Sequence, residues 1–225
     1  MELINNKLKG KILIEGTIKV ISGLRIGAGK DDIELGSPEL PIVKTINKQP
    51  FIPGSSLKGK MRSLLARCAG SLQPENDPLI IKQLFGEAGN NDGAAVAQQL
   101  TQLIFRDSYP SRPIITESKY ENTIIRTSGA AKNPRQLERI PMDSVFTFEI
   151  VYNIFSEDEN AIGKHIKVLD FARQLLNDDY LGGCGSRGYG KVEMVFTKAT
   201  KKTIEFDENE DDFSFTEDSD YVLPV

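Results

Sequence analysis

The chain has 225 residues, 39% hydrophobic and 27% charged, which suits a globular protein with one substantial core or two small ones. No apolar run reaches transmembrane length, the N-terminus lacks a signal-peptide pattern, and two cysteines with one histidine argue against a disulfide framework or a structural zinc site, so a cytoplasmic setting away from membranes is expected. The formal net charge of −4 conceals a segregation: residues 205–220 hold nine Asp/Glu, and without them 28 Lys/Arg face 23 Asp/Glu, so a polyanionic ligand is not excluded.

From Lys11 to Leu24 the residues Ile12, Ile14, Ile18, Val20 and Leu24 share one parity while Lys11, Glu15, Thr17 and Lys19 share the other, which predicts a half-buried strand with Gly16 as a candidate bulge. It runs into Gly23-Leu-Arg-Ile-Gly-Ala-Gly-Lys30, where glycines would let a backbone approach a ligand and Arg25 and Lys30 supply charge; a flexible loop is the plainer reading. Asp31, Asp32, Glu34 and Glu39 follow within nine residues. Such a cluster can hold a divalent metal or supply a general base, and it can equally be a set of solvated acids.

Ile52-Pro-Gly-Ser-Ser-Leu-Lys-Gly-Lys-Met-Arg62 reads as a turn feeding a helix over 56–70, with Ser55 or Ser56 as cap and Leu57, Met61, Leu64, Leu65 and Cys68 as its apolar stripe. Lys58, Lys60, Arg62 and Arg67 lie outside the stripe. Free N–H groups and cations at a helix start are the physics of a phosphate site. An ordinary capped helix is the first alternative. A nucleoside triphosphate loop is the second, since Gly54-x-x-x-x-Gly59-Lys60 matches most of that pattern. Met61 opposes it, because a thioether cannot replace the hydroxyl that Mg²⁺ requires there.

Asp77-Pro78 reads as N-cap and first residue of a short helix with Leu79, Ile80, Leu84 and Phe85 apolar and Gly86 as its stop. Residues 87–98 are rich in Gly, Asn and Ala and are expected to be loop. Gln102 to Asp107 is apolar enough for a central strand. Residues 110–141 carry few large apolar side chains but include Arg126, Lys132, Arg135 and Arg139; they suggest a protruding hairpin that finds its partner outside its own core, or else a long disordered loop. Val145 to Ile154 alternates again, and a helix over 157–177 carries the stripe Ile162, Ile166, Leu169, Ala172 and Leu176. His165 on that helix is read as a surface or packing residue. In Leu181-Gly-Gly-Cys-Gly-Ser-Arg-Gly-Tyr-Gly-Lys191 five glycines surround Ser186, Arg187 and Tyr189, so the loop could clamp a phosphodiester while Tyr189 stacks on a base. A strand over 190–198 follows. The order is βαββαβ, an α+β ferredoxin-like plan with long insertions, shared with the RRM, which binds single-stranded RNA on its sheet. The acidic tail is expected to be solvated and mobile.

Five stretches together resemble one family: Gly23–Gly29, Ile52–Arg62, Glu121-Asn-Thr-Ile-Ile-Arg126, Asn133-Pro-Arg-Gln-Leu-Glu-Arg139 and Tyr180–Gly190. Over residues 8–198 the chain resembles the RAMP superfamily, and within it the backbone subunit of type III-A (Csm) CRISPR effector complexes. The resemblance implies one RRM-like palm over residues 1–204, a thumb inserted at about 110–141, and an acidic tail over 205–225 outside the motifs. It implies copies stacked as a filament along CRISPR RNA (crRNA) beside the complex's other subunits, with the thumb interrupting the guide–target duplex. It also implies metal-dependent cleavage of target RNA, with Mg or Mn as the cofactor. Carried over by motif, Lys58, Lys60 and Arg62 would hold guide phosphates. Arg25 and the loop residues Gly183, Gly185, Ser186, Arg187 and Gly188 would stand beside them, and Arg126, Arg135 and Arg139 would form or support the thumb. The family's catalytic Asp lies just before a short Pro-containing apolar run, here Leu40-Pro-Ile-Val43, and Glu39 occupies the place; Asp31 and Asp32 are the alternatives. The longer side chain leaves two readings open, a target-RNA endonuclease and a non-catalytic RNA-binding scaffold that would need no cofactor. An RNA-processing RAMP without metal is opposed by the position of the only imidazole, His165, on a helix.

Overall fold

The computed structural model describes residues 7–28, 40–86, 101–156, 158–207 and 212–225. Strand β1 (Gly10–Val20) lies at the centre of an antiparallel sheet, between β6 (Val145–Ile154) and β7 (Val192–Asp207). β6 pairs on its outer side with β2 (Leu103–Phe105) and β3 (Tyr109–Pro110), and β7 pairs with β8 (Asp212–Asp218). The order β2-β6-β1-β7 is the one in which a βαββαβ unit lays down its four strands.

The strand parity read from the sequence decides the faces. Ile12, Ile14, Ile18 and Val20 are fully buried. They share one cluster with Leu57, Met61, Leu64 and Leu65 of α1 (Gly54–Cys68) and with Ile162, Ile166, Leu169, Ala172 and Leu176 of α3 (Glu159–Asp178). Gly16 sits where the β1–β7 register shifts: Glu15 pairs with Lys198 and Gly16 with Phe196, leaving Thr197 as the extra residue. A Cβ on Gly16 would run into the Val195 carbonyl and the Phe148 ring. The bulge is therefore on the partner strand, and glycine is what admits it.

Several expectations need correction. α1 begins at Gly54, so neither Ser55 nor Ser56 caps it; Pro53 is the N-cap and makes no side-chain bond. The Gly54 N–H instead donates to Asp107 Oδ1 at 2.8 Å, a carboxylate delivered from beyond β2. That acid neutralises the dipole end offered above as a phosphate site. Cys68, counted in the stripe, is exposed in the last turn. In α2 (Leu79–Phe85) Leu79 is 64% exposed and Ile81 takes its place inside. Asp77 does not cap α2; its buried carboxylate accepts from Arg62 Nε at 2.8 Å and Ser71 Oγ at 2.7 Å. β2 is an edge element of three residues rather than a central strand. Its apolar residues serve the interior from the rim, Leu103 fully buried and Phe105 stacked on Phe85 at 6.0 Å.

The acidic tail is also structured where it is described. β7 continues through residue 204 to Asp207, and β8 folds back along it with Phe206 and Phe213 4.6 Å apart and Lys202 paired to Glu217 at 3.0 Å. Tyr221 and Leu223 then pack against the core. Aromatic residues interleaved with the acids, and lysines on the neighbouring strand, explain the ordering that charge alone would oppose.

His165 does serve packing. Its Nδ1 lies 2.8 Å from the Tyr152 hydroxyl, and burial, reinforced by nearby Lys164, holds its pKa below the ordinary value. A histidine depressed on folding stabilises fully above the unfolded pKa of about 6.5, and that contribution is lost as pH falls through the folded value. Thermal melts at pH 7 and pH 5 should show a larger loss for the parent than for His165→Gln; equal losses would show that the residue stays uncharged in this range.

Candidate nucleic-acid interface

Between α3 and β7 the glycine-rich segment closes on itself through the Leu181 N–H to the Gly190 carbonyl at 2.8 Å. Gly182 (φ +74°) and Gly190 (φ +76°) occupy the left-handed region, and a Cβ on either would strike backbone, Arg25 O in the first case and Leu181 O in the second. A Cβ on Gly185 would enter the Tyr180 ring. Three of the five glycines thus serve the protein's own packing, and only Ser186, Arg187 and Gly188 form an exposed tip. Nothing lies within 4 Å of the place a Gly188 Cβ would take.

The loop is fastened to the turn after β1. The Gly190 N–H donates to Gly23 O at 3.0 Å and the Gly183 N–H to Arg25 O at 2.8 Å. Arg25 Nε is buried and has no hydrogen-bond partner among the described residues, with the guanidinium beside Gly27 and Gly183. The turn also pairs with the segment from Leu40: Val43 N–H donates to Ile26 O at 2.9 Å, and Ala28 N–H to Pro41 O at 3.2 Å. Glu39, Asp31 and Asp32 lie outside the described residues, but Leu40, next to Glu39 in the chain, is fixed by a bridge to Leu137 and by the Glu138 N–H at 3.2 Å.

Leu137 and Glu138 belong to the predicted hairpin, whose strands are β4 (Glu117–Ile124) and β5 (Ala131–Arg139). Among the named strands each pairs only with the other, in a two-stranded sheet, and β5 adds the bridge to Leu40. Arg126, Lys132 and Arg135 are exposed toward its tip, as are Tyr120 and Ile124 at 66% each. The base is anchored by buried Leu137 and Ile140. Glu138, which the sequence reading passed over, is 4% exposed and accepts from Thr116 Oγ1 at 2.6 Å, from the Ile42 N–H at 3.2 Å and from Lys44 Nζ. Burial alone would raise its carboxyl; these donors outweigh that and hold it below the usual carboxylate range. Strand parity could not single it out, because Leu137 beside it, of the opposite parity, is buried as well.

Tyr189 does not stack on a base, because it is 1% exposed. Its ring lies under Lys119 Nζ at 4.5 Å and near Arg139 Cζ at 5.4 Å, so cations of the hairpin base cover it. Arg139 donates to Glu117 at 2.7 Å, and Arg187 Nη1 donates to Glu121 at 2.5 Å.

The three α1 cations are not brought together. Lys60 lies beside the glycine loop, 3.0 Å from Asp179 and 3.8 Å above the Tyr180 ring that Gly185 packs on. Lys58 and Arg62 face the other way. Lys58 Nζ donates to Leu103 O at 3.1 Å, and burial, then the Arg62 charge, lowers its pKa. Arg62 pairs with Asp77. The open face of the sheet carries Glu15, Thr17, Thr147, Glu149, Glu193 and Val195 and no aromatic side chain on β1, on β6, or on β7 before Phe206. RRM-style stacking has no platform on these central strands; the exposed aromatic of that face is Tyr109 on edge strand β3, opposite Thr147 and stacked on Phe51 at 5.9 Å, and the cationic loops gather at the β1 C-terminal end.

A family model described as the RAMP superfamily matches residues 17–193. The chain belongs to the RAMP superfamily. Among its RAMP relatives, the protein named CRISPR system Cms endoribonuclease Csm3 from Streptococcus thermophilus is 40% identical over 203 residues, covering 84% of this chain and 90% of that one. The protein of the same name from Methanocaldococcus jannaschii is 36% identical over 217 residues, with 90% and 86% covered. Among solved RAMP structures, the Csm3–Csm4 subcomplex of the type III-A CRISPR-Cas interference complex aligns with TM-score 0.56 and 29% identity over 96% of this chain and 91% of that one. A type III-B Cmr-beta complex bound to cognate target RNA aligns with TM-score 0.59 at 20% identity over 84% and 61%, a likeness of fold. This RAMP chain has, among its described residues, no cluster of three metal-ligating side chains and no helix long and apolar enough to cross a membrane.

Proposed function

We propose that the chain is a crRNA-binding backbone subunit of a type III CRISPR interference complex, stacked with further copies of itself along the guide and cleaving target RNA at regular intervals. The observation that carries this reading is the junction at the β1 C-terminal end. There the exposed Ser186–Gly188 tip, the unpartnered Arg25 Nε and the cationic hairpin meet on one rim of the sheet. Phosphates would be held by Arg25 and the backbone N–H groups of Gly185 and Ser186, with Lys60 adjoining and with Arg187 once it leaves Glu121; the Gly183 and Gly188 N–H groups already donate to Arg25 O and Gly185 O and shape the loop. Arg126, Lys132 and Arg135 would meet the guide–target duplex, and Arg139 would support them from the hairpin base. Lys58 and Arg62 would reach a phosphate only by leaving Leu103 and Asp77.

Cleavage is assigned to Glu39, with Asp31 or Asp32 as the alternative, in the segment that leads into the fixed Leu40. The described carboxylates offer no metal site, so a bound Mg or Mn would have to be held by those acids or by another subunit, where it would stabilise charge developing on the phosphate. The scaffold reading keeps its one supporting observation, the Glu in place of the family's Asp.

The test is salt dependence of RNA binding. Charge-neutralising Arg126, Lys132 and Arg135 should lower the log–log slope by about 0.7 for each single-strand phosphate that is no longer neutralised, for any RNA sequence. Melting temperature should barely move, since all three are exposed. Arg62→Met should do the reverse, leaving the buried Asp77 carboxylate without its cation and with Ser71 Oγ as its donor. An unchanged slope in the triple variant would remove the hairpin from the interface.

A further inference from the structure

The hairpin is held to the body unequally along its two strands. β5 is joined by main chain, through Ile140 to Leu24 and Leu137 to Leu40. β4 pairs only with β5, and its tether to the glycine loop is made by side chains. Lys119 and Glu121 share one parity on β4 and are its two half-buried residues, whereas the other six are exposed. Both point to the glycine loop: Lys119 covers the Tyr189 ring, and Glu121 takes the Arg187 guanidinium. Tyr189 is among the largest fully buried side chains yet stands apart from the main hydrophobic cluster. Its walls include cationic stems from the hairpin, and its hydroxyl is buried without a partner of normal geometry. Arg139, on the same hairpin face as Lys119, crosses over Gly23, where a Cβ would lie 2.5 Å from Arg139 Cδ.

We propose that Tyr189 is a positioning residue: covered by Lys119 and Arg139 from one face of the hairpin and flanked by the Glu121–Arg187 pair, it fixes the angle of the β4–β5 hairpin relative to the glycine loop. A cation over an aromatic face attracts most strongly when desolvated, and this ring is out of water. These contacts, with the Glu121–Arg187 pair beside them, therefore resist rotation of the hairpin about its β5 attachment. Where the chain binds RNA as proposed above, that angle sets the length of RNA between the loop's phosphate-binding groups and the hairpin tip, and with it the register of each copy. The RNA consequence rests on that reading; the hairpin angle does not.

The angle is measured first without RNA. Spin labels at Ser128→Cys in the hairpin turn and Ser63→Cys on α1, in a Cys68→Ala, Cys184→Ser background, report the distance distribution. Tyr189→Leu keeps an apolar side chain in the pocket and removes the face that attracts cations. The Lys119→Met, Glu121→Gln double variant cuts the tether from the hairpin side, outside the core, and is decisive if Tyr189→Leu does not fold. Each should broaden the distribution at least about twofold, with a melting temperature close to the parent's for the double variant. A width equal to the parent's in the double variant overturns the proposal. In the assembled complex with guide and target, the same variant should blur the spacing of target protection while total RNA affinity holds. Sharp, parental spacing despite a broadened distance would show that neighbouring copies, not Tyr189, set the register.

Discussion

Gly190→Ala should lower stability by about 2–4 kcal/mol and abolish ordered packing of the glycine loop. The backbone there has φ +76°, which an alanine adopts only under strain, and the new methyl would run into the Leu181 carbonyl. The neighbouring hydrogen bonds leave little room to relax. Leu181 N–H is bound to the Gly190 carbonyl and Gly190 N–H to Gly23, so a shift at one position pulls on both sides of the junction. Gly188→Ala supplies the contrast, since its φ of +85° is equally unusual but its surroundings are open. It should cost about 1 kcal/mol, the conformational part alone. Thermal melts decide the matter: at roughly 2–4 °C per kcal/mol for a chain of this size, Gly190→Ala should melt about 5–15 °C below the parent. Equal melting of the two variants would show that the loop yields freely.

Glu39→Ala should reduce target-RNA cleavage by the assembled complex at least about a hundredfold while leaving RNA affinity unchanged; Glu39→Asp should cleave faster than the parent. An ordinary Glu has a pKa near 4.3 and is a weak base at neutral pH, so placement must supply most of its effect. Leu40, the next residue in the chain, is pinned to Leu137 and Glu138 at the hairpin base. The extra methylene of Glu adds a rotatable bond and moves the carboxylate by about 1 Å, a displacement worth about a hundredfold in rate. Asp at this position restores the shorter reach. If Glu39→Ala cleaves like the parent, Asp31, Asp32 or another subunit carries the chemistry. If parent and Glu39→Asp are both silent, the chain is a scaffold.

The fold was readable because its core is periodic. Ile12, Ile14 and Ile18 announce a strand face, and Ile162, Ile166 and Leu169 announce a helix face, whatever surrounds them. The hairpin was readable from a lack, since residues with few apolar side chains cannot build a core of their own. Partnership was not readable. Asp107 caps α1 from 53 positions away, and Asp77 looked like a cap until Arg62 reached it. Tyr189 looked like a stacking platform because aromatic residues among glycines often are, yet Lys119 and Arg139, distant in sequence, cover it. The β8 ordering was hidden for the same reason: its acids are legible locally, and the lysines of β7 that receive them are not adjacent to them.

The placement of β8 gives the molecule a direction. β8 pairs with β7 beyond Lys201, and Lys202 is level with Lys11 at the start of β1, whereas the cationic loops stand past Val20 at its other end. Eleven residues of strand separate them, about 35 Å at 3.3 Å per residue. Several Debye lengths lie in between at physiological ionic strength, where each is about 8 Å, so the acids do not weaken a phosphate held at the far rim. They do give the chain an electric dipole along β1. A polyanion repels one pole and attracts the other, so a chain with net charge −4 is turned, before contact, to meet RNA with its cationic end.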